Sequence, residues 1–252
     1  MRENSPVEVS EKSSPIATAM ILAAGRGARM RPLTDSIPKP LVRVAGKPLI
    51  LHHVERLVDA GVHRIVINLA HLGQKIVDAL GDGSQWGADI YYSWEPEHGL
   101  ETAGGIIQAL DLLGSQFMVV NGDIWTDYDF ACLRDLDLGN QLGHLVMVET
   151  PNYKSGGDFS LSNDGLLLPL ASTAIEDAGN KNALRDCTYS GMAVMSKKLF
   201  SGRPKGRSAL LSLFNAAIDQ TRLQGEYYAG VWDDIGTVDR LEALREQLDI
   251  NK

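Results

Sequence analysis

The stretch ATAMILAAGRGARMRPLTDSIPKPLV, residues 17–42, begins as an apolar run and becomes, from Gly25 onward, a loop rich in glycine, proline and arginine. A short, continuously apolar run is typical of a strand buried in a parallel sheet. The loop begins where such a strand would end. The stretch therefore predicts a strand that delivers a flexible, positively charged loop to one edge of a sheet.

Short apolar runs alternate with segments of helical periodicity after this stretch. Strands are predicted at HRIVINLA (63–70), ADIYYSW (88–94) and QFMVVNGD (116–123), with helices at 48–61 and 102–114 between them. Strands that alternate with helices form parallel sheets with right-handed crossovers. We therefore expect an α/β fold with a doubly wound, mostly parallel, Rossmann-like sheet.

In the second half of the chain, predicted strands and helices alternate less regularly. Residues 151–186 are rich in Gly, Ser, Asn and Asp, which indicates loops and short antiparallel strands. A strand at 187–195, a helix at 207–223, a final strand EYYAGVW at 226–232 and a closing helix at 237–248 follow. These elements predict a small lobe packed beside the main sheet.

The domain organisation follows from the same pattern. We expect residues 1–15, which are polar, to form a disordered tail and residues 16–252 to form a single domain. Its first half ends near residue 150 and carries the glycine loop. The second half supplies the small lobe.

Composition excludes several classes of partner. The net charge of −8 over 252 residues argues against broad binding of nucleic acid, which requires a basic face. No apolar run reaches the roughly 20 residues of a membrane span, and residues 1–15 lack the apolar core of a signal peptide. We therefore expect a cytoplasmic protein without membrane partners, and the sequence makes no prediction of its oligomeric state.

The glycine loop has the features of a site for an anionic ligand. Gly25 and Gly27 follow the first strand, where successive backbone N–H groups can form an anion-binding nest. A dinucleotide fingerprint would require glycine at position 30, which is Met30, and a Walker-A loop would require a G-K-[ST] sequence. Arg29 and Lys39 supply cations in the same loop. We expect these two side chains to face a polyphosphate.

Two aspartates follow predicted strands and complete the candidate site. Asp123 ends the strand in VVNGD, and Asp234 lies just after the final strand in WDDIGT. Carboxylates at the ends of two strands suit Mg²⁺, which takes one or two protein carboxylates plus phosphate and water. The alternatives are a turn aspartate at 123 and a helix cap at 234, where Thr237 is the better-placed cap. We expect Asp233 to have a supporting role.

LAAGRGARMRPLT followed by PKPLV resembles the signature of the sugar-1-phosphate nucleotidyltransferases, and the resemblance extends over residues 17 to about 248. It implies that a sugar 1-phosphate attacks the α-phosphorus of a nucleoside triphosphate. It further implies that Arg29 holds the triphosphate, that Lys39 neutralises the α-phosphate and that Asp123 and Asp234 hold Mg²⁺. The nucleotide-binding residues implied are Ala23, Ala24, Gly25, Gly27, Arg29, Lys39, Glu101, Thr102 and Gly104, with Glu101 where glycine is common.

The L-E-T variant at 100–102 and VNGDIWTDYDF (120–130) resemble the subgroup of uridylyltransferases that act on N-acetylmuramate 1-phosphate in cell-wall recycling. That resemblance implies sugar contacts from Asp158 in GGDFSL and from Ser190 in YSGMAVM. Either Lys154 or Arg185 could meet the lactyl carboxylate of this sugar.

Two other functions stay open at this point. One is guanylyl transfer to mannose or heptose 1-phosphate, because members of that type share these motifs. The other is a regulatory subunit that binds a nucleotide sugar without catalysis.

The histidines have no required part in this chemistry. A phosphate monoester is already largely dianionic near neutral pH, because its second pKa is about 6, so its attack needs no general base. We therefore expect His52, His53 and His71 to be solvent-exposed.

Overall fold

The computed structural model describes residues 14–170 and 184–250. Thirteen strands occupy these ranges: β1 (Thr18–Leu22), β2 (Arg43–Val44), β3 (Lys47–Pro48), β4 (Arg64–Leu69), β5 (Asp89–Trp94), β6 (Gln116–Asn121), β7 (Ile124–Thr126), β8 (Gly143–Val148), β9 (Phe159–Ser162), β10 (Leu167–Leu168), β11 (Leu184–Ser196), β12 (Leu223–Tyr227) and β13 (Trp232–Asp234). The α-helices are α1 (Leu33–Ser36), α2 (Leu49–Asp59), α3 (Gly73–Leu80), α4 (Glu101–Ala109), α5 (Phe130–Arg134), α6 (Leu210–Ile218) and α7 (Val238–Ile250). The predicted tail, residues 1–15, lies outside the described ranges except for residues 14 and 15.

The central sheet is mixed but mostly parallel. Strands β5, β4, β1 and β6 lie side by side and run parallel. The long strand β11 is antiparallel to β6, and different parts of it pair with β8 and β9. Strand β12 extends the sheet beyond β8, and β10 extends it beyond β9. The predicted α/β class and mostly parallel sheet are confirmed.

Helices cover both faces of the sheet, as a doubly wound fold requires. Successive residues of a strand point to opposite faces, and β4 illustrates the result. Ile65 and Ile67 belong to the core cluster that includes Val54 of α2, and Val66 belongs to the cluster that includes Ile106 of α4. The carboxyl ends of the parallel strands therefore emerge between two helix layers, at one edge of the sheet.

A third apolar cluster ties the closing helix to the glycine loop. Met30 is fully buried and packs in one cluster with Trp125, Ile235, Leu241 and Leu244. The residue that breaks the dinucleotide fingerprint is thus a core residue. Burying it anchors the loop against α7 and against the segment that follows β13.

The structure corrects two predicted element boundaries. The stretch EYYAGVW is not one strand: β12 ends at Tyr227, and Trp232 begins β13, which pairs with β7 in a separate two-stranded sheet. Asp127 fixes the intervening turn by accepting a hydrogen bond from the backbone N–H of Val231 at 2.8 Å. Helix α4 begins at Glu101, one residue before the predicted start, so Thr102 lies inside the helix.

The prediction that the three histidines are exposed is also wrong. His53 is buried, with 2% of its surface exposed, and its Nε2 lies 3.0 Å from the carbonyl oxygen of Ile124. His52 and His71 are half-buried. Within the described ranges, no helix combines the length and apolar character that crossing a bilayer would need.

Candidate active site

A cavity of about 420 Å³ opens at the carboxyl ends of β1 and β6. We call it the first cavity. It brings together seven of the residues predicted for the site: Ala23, Ala24, Gly25, Lys39, Glu101, Thr102 and Asp123. Its volume lies within the usual range for small-molecule sites, roughly 300–1,000 Å³.

An ion pair forms one wall of the first cavity. The Lys39 Nζ donates a hydrogen bond to Asp123 Oδ2 at 2.5 Å. The Lys39 side chain is 8% exposed and that of Asp123 is 37% exposed, so the carboxylate is the more accessible of the two charges, and both residues line the cavity. The wall therefore presents both charges to a ligand, with the cation held in a fixed place.

Gly27 shapes the loop that carries Lys39. Its φ of 65° lies in the left-handed region, which glycine adopts without strain. A Cβ at this position would lie 2.9 Å from Thr34 Cγ2 and 3.3 Å from Lys39 Cβ, and Thr34 donates its hydroxyl proton to the Gly27 carbonyl at 2.8 Å. The loop is therefore folded tightly on itself. Gly27 holds its shape without lining the cavity.

A buried polar network supports the floor of the first cavity. It was not predicted from the sequence. The Asn68 Oδ1 accepts from the Ala23 N–H at 2.7 Å, and its Nδ2 donates to Glu95 Oε1 at 2.7 Å. The other Glu95 oxygen accepts from the Leu100 N–H at 2.7 Å. A Cβ on Gly105 would lie 2.3 Å from Glu95 Oε1, which explains glycine at that position. The sequence offered one signal for this network: a polar residue at the end of each of two apolar strands, Asn68 in β4 and Glu95 after β5.

Arg29 lies apart from the wall formed by Lys39. Its side chain is exposed at the segment after β13, where a Cβ on Gly236 would be 3.0 Å from Arg29 Nη2 and 3.0 Å from Arg240 Nη1. The Arg240 Nη1 in turn donates to Asp234 Oδ2 at 3.0 Å, and its guanidinium lies 3.4 Å from the centre of the Tyr153 ring. Arg29 therefore lies beside Gly236 and near Arg240, outside the lining of the first cavity.

The fold brings the two predicted metal ligands to neighbouring backbone positions. Asp234 pairs with Ile124, the residue after Asp123, and the Ile235 N–H donates to the Asp123 carbonyl at 3.0 Å. Within the described part of the chain, no group of three or more His, Cys, Asp or Glu side chains could hold a metal ion by itself. Two carboxylates with room for phosphate and water nevertheless form the donor set that Mg²⁺ prefers.

A second cavity, of about 480 Å³, shares Glu101, Thr102 and Asn121 with the first. Asp158 and Tyr189 also line it. The two cavities therefore form one continuous cleft across the end of α4. Such a cleft can hold two ligands whose reacting groups meet near the shared residues.

The two predicted sugar contacts have different surroundings. Asp158 lines the second cavity and is held on both oxygens, by Lys154 Nζ at 2.6 Å and by the Tyr189 N–H at 3.0 Å. Ser190 is 1% exposed and lines neither cavity. Its hydroxyl accepts from the Met192 N–H at 3.1 Å, and its carbonyl accepts from Trp232 Nε1 at 2.8 Å. Ser190 supports the strand and does not face a ligand in this structure.

The residues at the start of α4 are unusual in two ways. Glu101 has a φ of 60°, a left-handed conformation that side chains other than glycine rarely adopt, and it accepts a hydrogen bond from Arg207 Nε at 2.8 Å. Gly104 is buried inside the helix, where a Cβ would lie 2.3 Å from the Gly206 carbonyl. Gly104 thus permits close packing of the segment around Gly206 and does not line either cavity.

Burial shifts the pKa of two titratable groups beside the cleft. It lowers the pKa of His53 to about 4, because burial removes water from the charged imidazolium, and the hydrogen bond from Nε2 to the Ile124 carbonyl only partly opposes this shift. Burial also raises the pKa of Asp233; Arg240 opposes this rise and the Asp234 carboxylate adds to it. Neither group lines the two cavities.

Comparison with known proteins assigns this architecture to a family. The family model named Nucleotidyl transferase matches residues 18–151. An N-acetylmuramate alpha-1-phosphate uridylyltransferase of Neisseria meningitidis serogroup B (strain ATCC BAA-335 / MC58) is 49% identical over 229 residues, which are 89% of this chain and 95% of that protein. A mannose-1-phosphate guanylyltransferase of Mycobacterium tuberculosis (strain ATCC 25618 / H37Rv) is 31% identical over 87% of this chain, which spans 61% of its length.

The fold also matches solved structures. HddC from Yersinia pseudotuberculosis, crystallised with GMP-PN, superposes with a TM-score of 0.70 over 92% of this chain and 100% of that chain at 22% identity. The family resemblance expected from the glycine loop is confirmed. The chain belongs to the nucleotidyl transferase family and is a nucleotidyltransferase.

Proposed function

We propose that this chain transfers the uridylyl group of UTP to N-acetylmuramate 1-phosphate, forming UDP-N-acetylmuramate and releasing pyrophosphate. The observation that carries this proposal is the 49% identity to the Neisseria meningitidis protein named for this activity, over 95% of the length of that protein. The continuous cleft with a fixed ammonium in its wall supports the same chemistry.

The reaction balances without a protein base. An oxygen of the sugar 1-phosphate forms a bond to the α-phosphorus, and the bond from that phosphorus to the bridging oxygen of the β-phosphate breaks. Pyrophosphate leaves with the electron pair. Because the attacking monoester is dianionic above pH 6, no side chain must remove a proton. The task of the protein is to position two polyanions and offset their charge.

The location of each side chain indicates its part in this task. Lys39 lies in the wall of the first cavity, where its charge would meet the α-phosphate. Arg29 lies near Gly236, outside the lining of the first cavity, and its exposed guanidinium would hold the departing pyrophosphate. Ala23, Ala24 and Gly25 line the nucleotide side of the cleft, and Thr102 lies at the junction of the two cavities.

Asp123 and Asp234 would hold Mg²⁺. The ion, when bound, supplies positive charge that offsets the crowded phosphates. Among the residues that the structure describes, each carboxylate has a single cationic partner, Lys39 for Asp123 and Arg240 for Asp234. These pairs hold both carboxylates in fixed orientations.

Guanylyl transfer to mannose or heptose 1-phosphate is the second candidate, favoured by the Mycobacterium tuberculosis relative. This candidate is weaker because the relative is only 31% identical and because the chain spans only 61% of that protein. A non-catalytic regulatory subunit is less favoured still, because Arg29, Lys39, Asp123 and Asp234 are all retained.

The test is pyrophosphate release with Mg²⁺, using four nucleoside triphosphates against a panel of sugar 1-phosphates. We expect release with UTP and N-acetylmuramate 1-phosphate. A preference for GTP with mannose or heptose 1-phosphate would replace the substrates and keep the mechanism. Folded protein that binds nucleotide but releases no pyrophosphate with any pair would indicate the regulatory function.

A further inference from the structure

We propose that Lys154 forms a subsite for the carboxylate of the sugar substrate. This inference rests on the function proposed above. N-acetylmuramate carries a lactyl ether that ends in a carboxylate, a charge that a plain N-acetylhexosamine lacks. A site that selects this sugar needs a cation where the lactyl group ends, because an ionised carboxylate is costly to desolvate without a partner.

Lys154 meets this requirement by its position. Its Nζ lies 2.6 Å from Oδ1 of Asp158, a residue in the wall of the second cavity, and 3.4 Å from Thr188 Oγ1. An ammonium has three N–H donors. Across residues 14–170 and 184–250, these two contacts leave one donor of Lys154 for a ligand. The side chain is 33% exposed, so solvent and ligand can reach it.

The ammonium is held in place from behind. The Tyr189 N–H donates to the second oxygen of Asp158 at 3.0 Å, so the carboxylate that holds Lys154 is itself fixed to the backbone of β11. A fixed cation loses less freedom on binding than a mobile one. Lys154 also shields an arriving carboxylate from the like charge of Asp158, which would otherwise repel it.

Two other cations near the second half of the cleft are less suitable. Arg185 stacks over the Tyr227 ring, with its guanidinium carbon 4.0 Å from the ring centre, so this contact already occupies the face of its charged group. Arg207 pairs with Glu101 at 2.8 Å, and 67% of its side chain is exposed. Water screens a charge so exposed, and its attraction for a carboxylate is correspondingly small.

The test compares N-acetylmuramate 1-phosphate with its lactamide, in which a neutral carboxamide replaces the carboxylate. We expect the wild-type protein to prefer the acid in kcat/KM by about tenfold to a hundredfold, the usual effect of one charge-assisted hydrogen bond. Lys154→Met should remove most of this preference, mainly through a higher KM for the acid. Lys154→Arg, which keeps the charge, should retain part of it.

The controls separate this inference from the proposed function. Arg185→Met and Arg207→Met should each leave the preference within about twofold of wild type, since Arg185 is stacked on Tyr227 and the charge of Arg207 is largely exposed to water. An unchanged preference in Lys154→Met, or its loss in Arg207→Met, would overturn the subsite alone. Wild-type protein that is inactive on the acid would overturn the proposed function and the subsite with it. Lys154→Gln provides a second neutral variant if the melting temperature of Lys154→Met is depressed.

Discussion

Lys39 and Asp123 lie 84 residues apart in the chain, yet their side chains meet at 2.5 Å in the wall of the cleft. The glycine loop supplies the cation, and the end of β6 supplies the carboxylate. The ammonium is buried and its partner is partly exposed, so a phosphate that enters the cavity can compete with Asp123 for Lys39. The pair couples the two sides of the candidate active site.

Lys39→Met should lower turnover by about 100- to 1,000-fold, the usual effect of removing one preorganised electrostatic group. Methionine fills the space of the lysine stem, and Asp123 remains solvated. The free energy of unfolding should therefore change by about 1 kcal/mol or less. Steady-state pyrophosphate release and urea unfolding measure the two effects. The matched control is Lys47→Met, which breaks the half-exposed pair with Glu55; a similar rate loss there would argue against a specific role for Lys39.

Arg29→Ala should lower turnover by orders of magnitude without unfolding the protein, because its guanidinium would stabilise the leaving pyrophosphate. Arg31 lies two residues away, is 57% exposed and pairs only with Asp35 among the described residues. Arg31→Ala should therefore keep the wild-type rate. Single-turnover kinetics and melting curves on both variants give the comparison. Equal rates for the two variants would remove Arg29 from the mechanism.

Asp123→Asn and Asp234→Asn should each raise the Mg²⁺ concentration for half-maximal activity by about tenfold or more, since each removes a charged oxygen ligand. Asp233→Asn is the control next to Asp234. Adjacent strand residues point to opposite sides, and Asp233 lines a separate polar cavity with Trp232 and Tyr228. Titration of Mg²⁺ into chelator-treated protein gives the values. A Mg²⁺ requirement that shifts only in Asp233→Asn would exchange the roles of the two aspartates.

Glu101→Gly should be more stable than Glu101→Ala by about 1 kcal/mol, because a left-handed φ costs an L-residue roughly this amount and costs glycine little. Both variants lose the same pair with Arg207, so that contribution cancels in the difference. Urea unfolding of the two variants provides the test. Equal stabilities would mean that residue 101 does not hold its left-handed conformation in solution.

His53 should make the fold sensitive to acid. Burial lowers its pKa from 6.5 to about 4, so below pH 6.5 the unfolded chain binds a proton that the folded chain does not. The neutral His53 therefore adds to the free energy of unfolding by at most about 3 kcal/mol. This contribution is complete above pH 6.5 and is lost as the pH falls toward 4. His53→Gln keeps a donor for the Ile124 carbonyl but cannot titrate.

Urea unfolding of wild type and His53→Gln at pH 7.5, 5.5 and 4.5 tests this expectation. The difference between the two proteins should narrow as the pH falls, because only the wild type loses the contribution of His53. His52 and His144, whose pKa values burial also lowers, are present in both proteins and cancel. A constant difference across this range would contradict the assignment.

Local sequence was informative where one segment determines its own structure. The apolar run of β1 and the alternation of strands with amphipathic helices such as α2 predict the fold class, because burial of one face dictates a period of 2 or 3.6. The glycine loop identified the family for a similar reason. Its backbone shape and its cations are encoded in one continuous stretch. Strand ends were harder to predict: EYYAGVW has the composition of one strand, but a turn held by Asp127 divides it.

Tertiary structure alone decided how distant residues meet. No local pattern distinguishes His53 from His52, although only the first is buried. Met30 stands where a dinucleotide fingerprint would require glycine, but only the structure shows that its side chain packs against α7. The choice between Lys154 and Arg185 likewise depended on neighbours from other strands, Asp158 for the first and Tyr227 for the second. Hydrophobic periodicity specifies which face of an element is buried, whereas the partners across a site are set by packing between elements far apart in the chain.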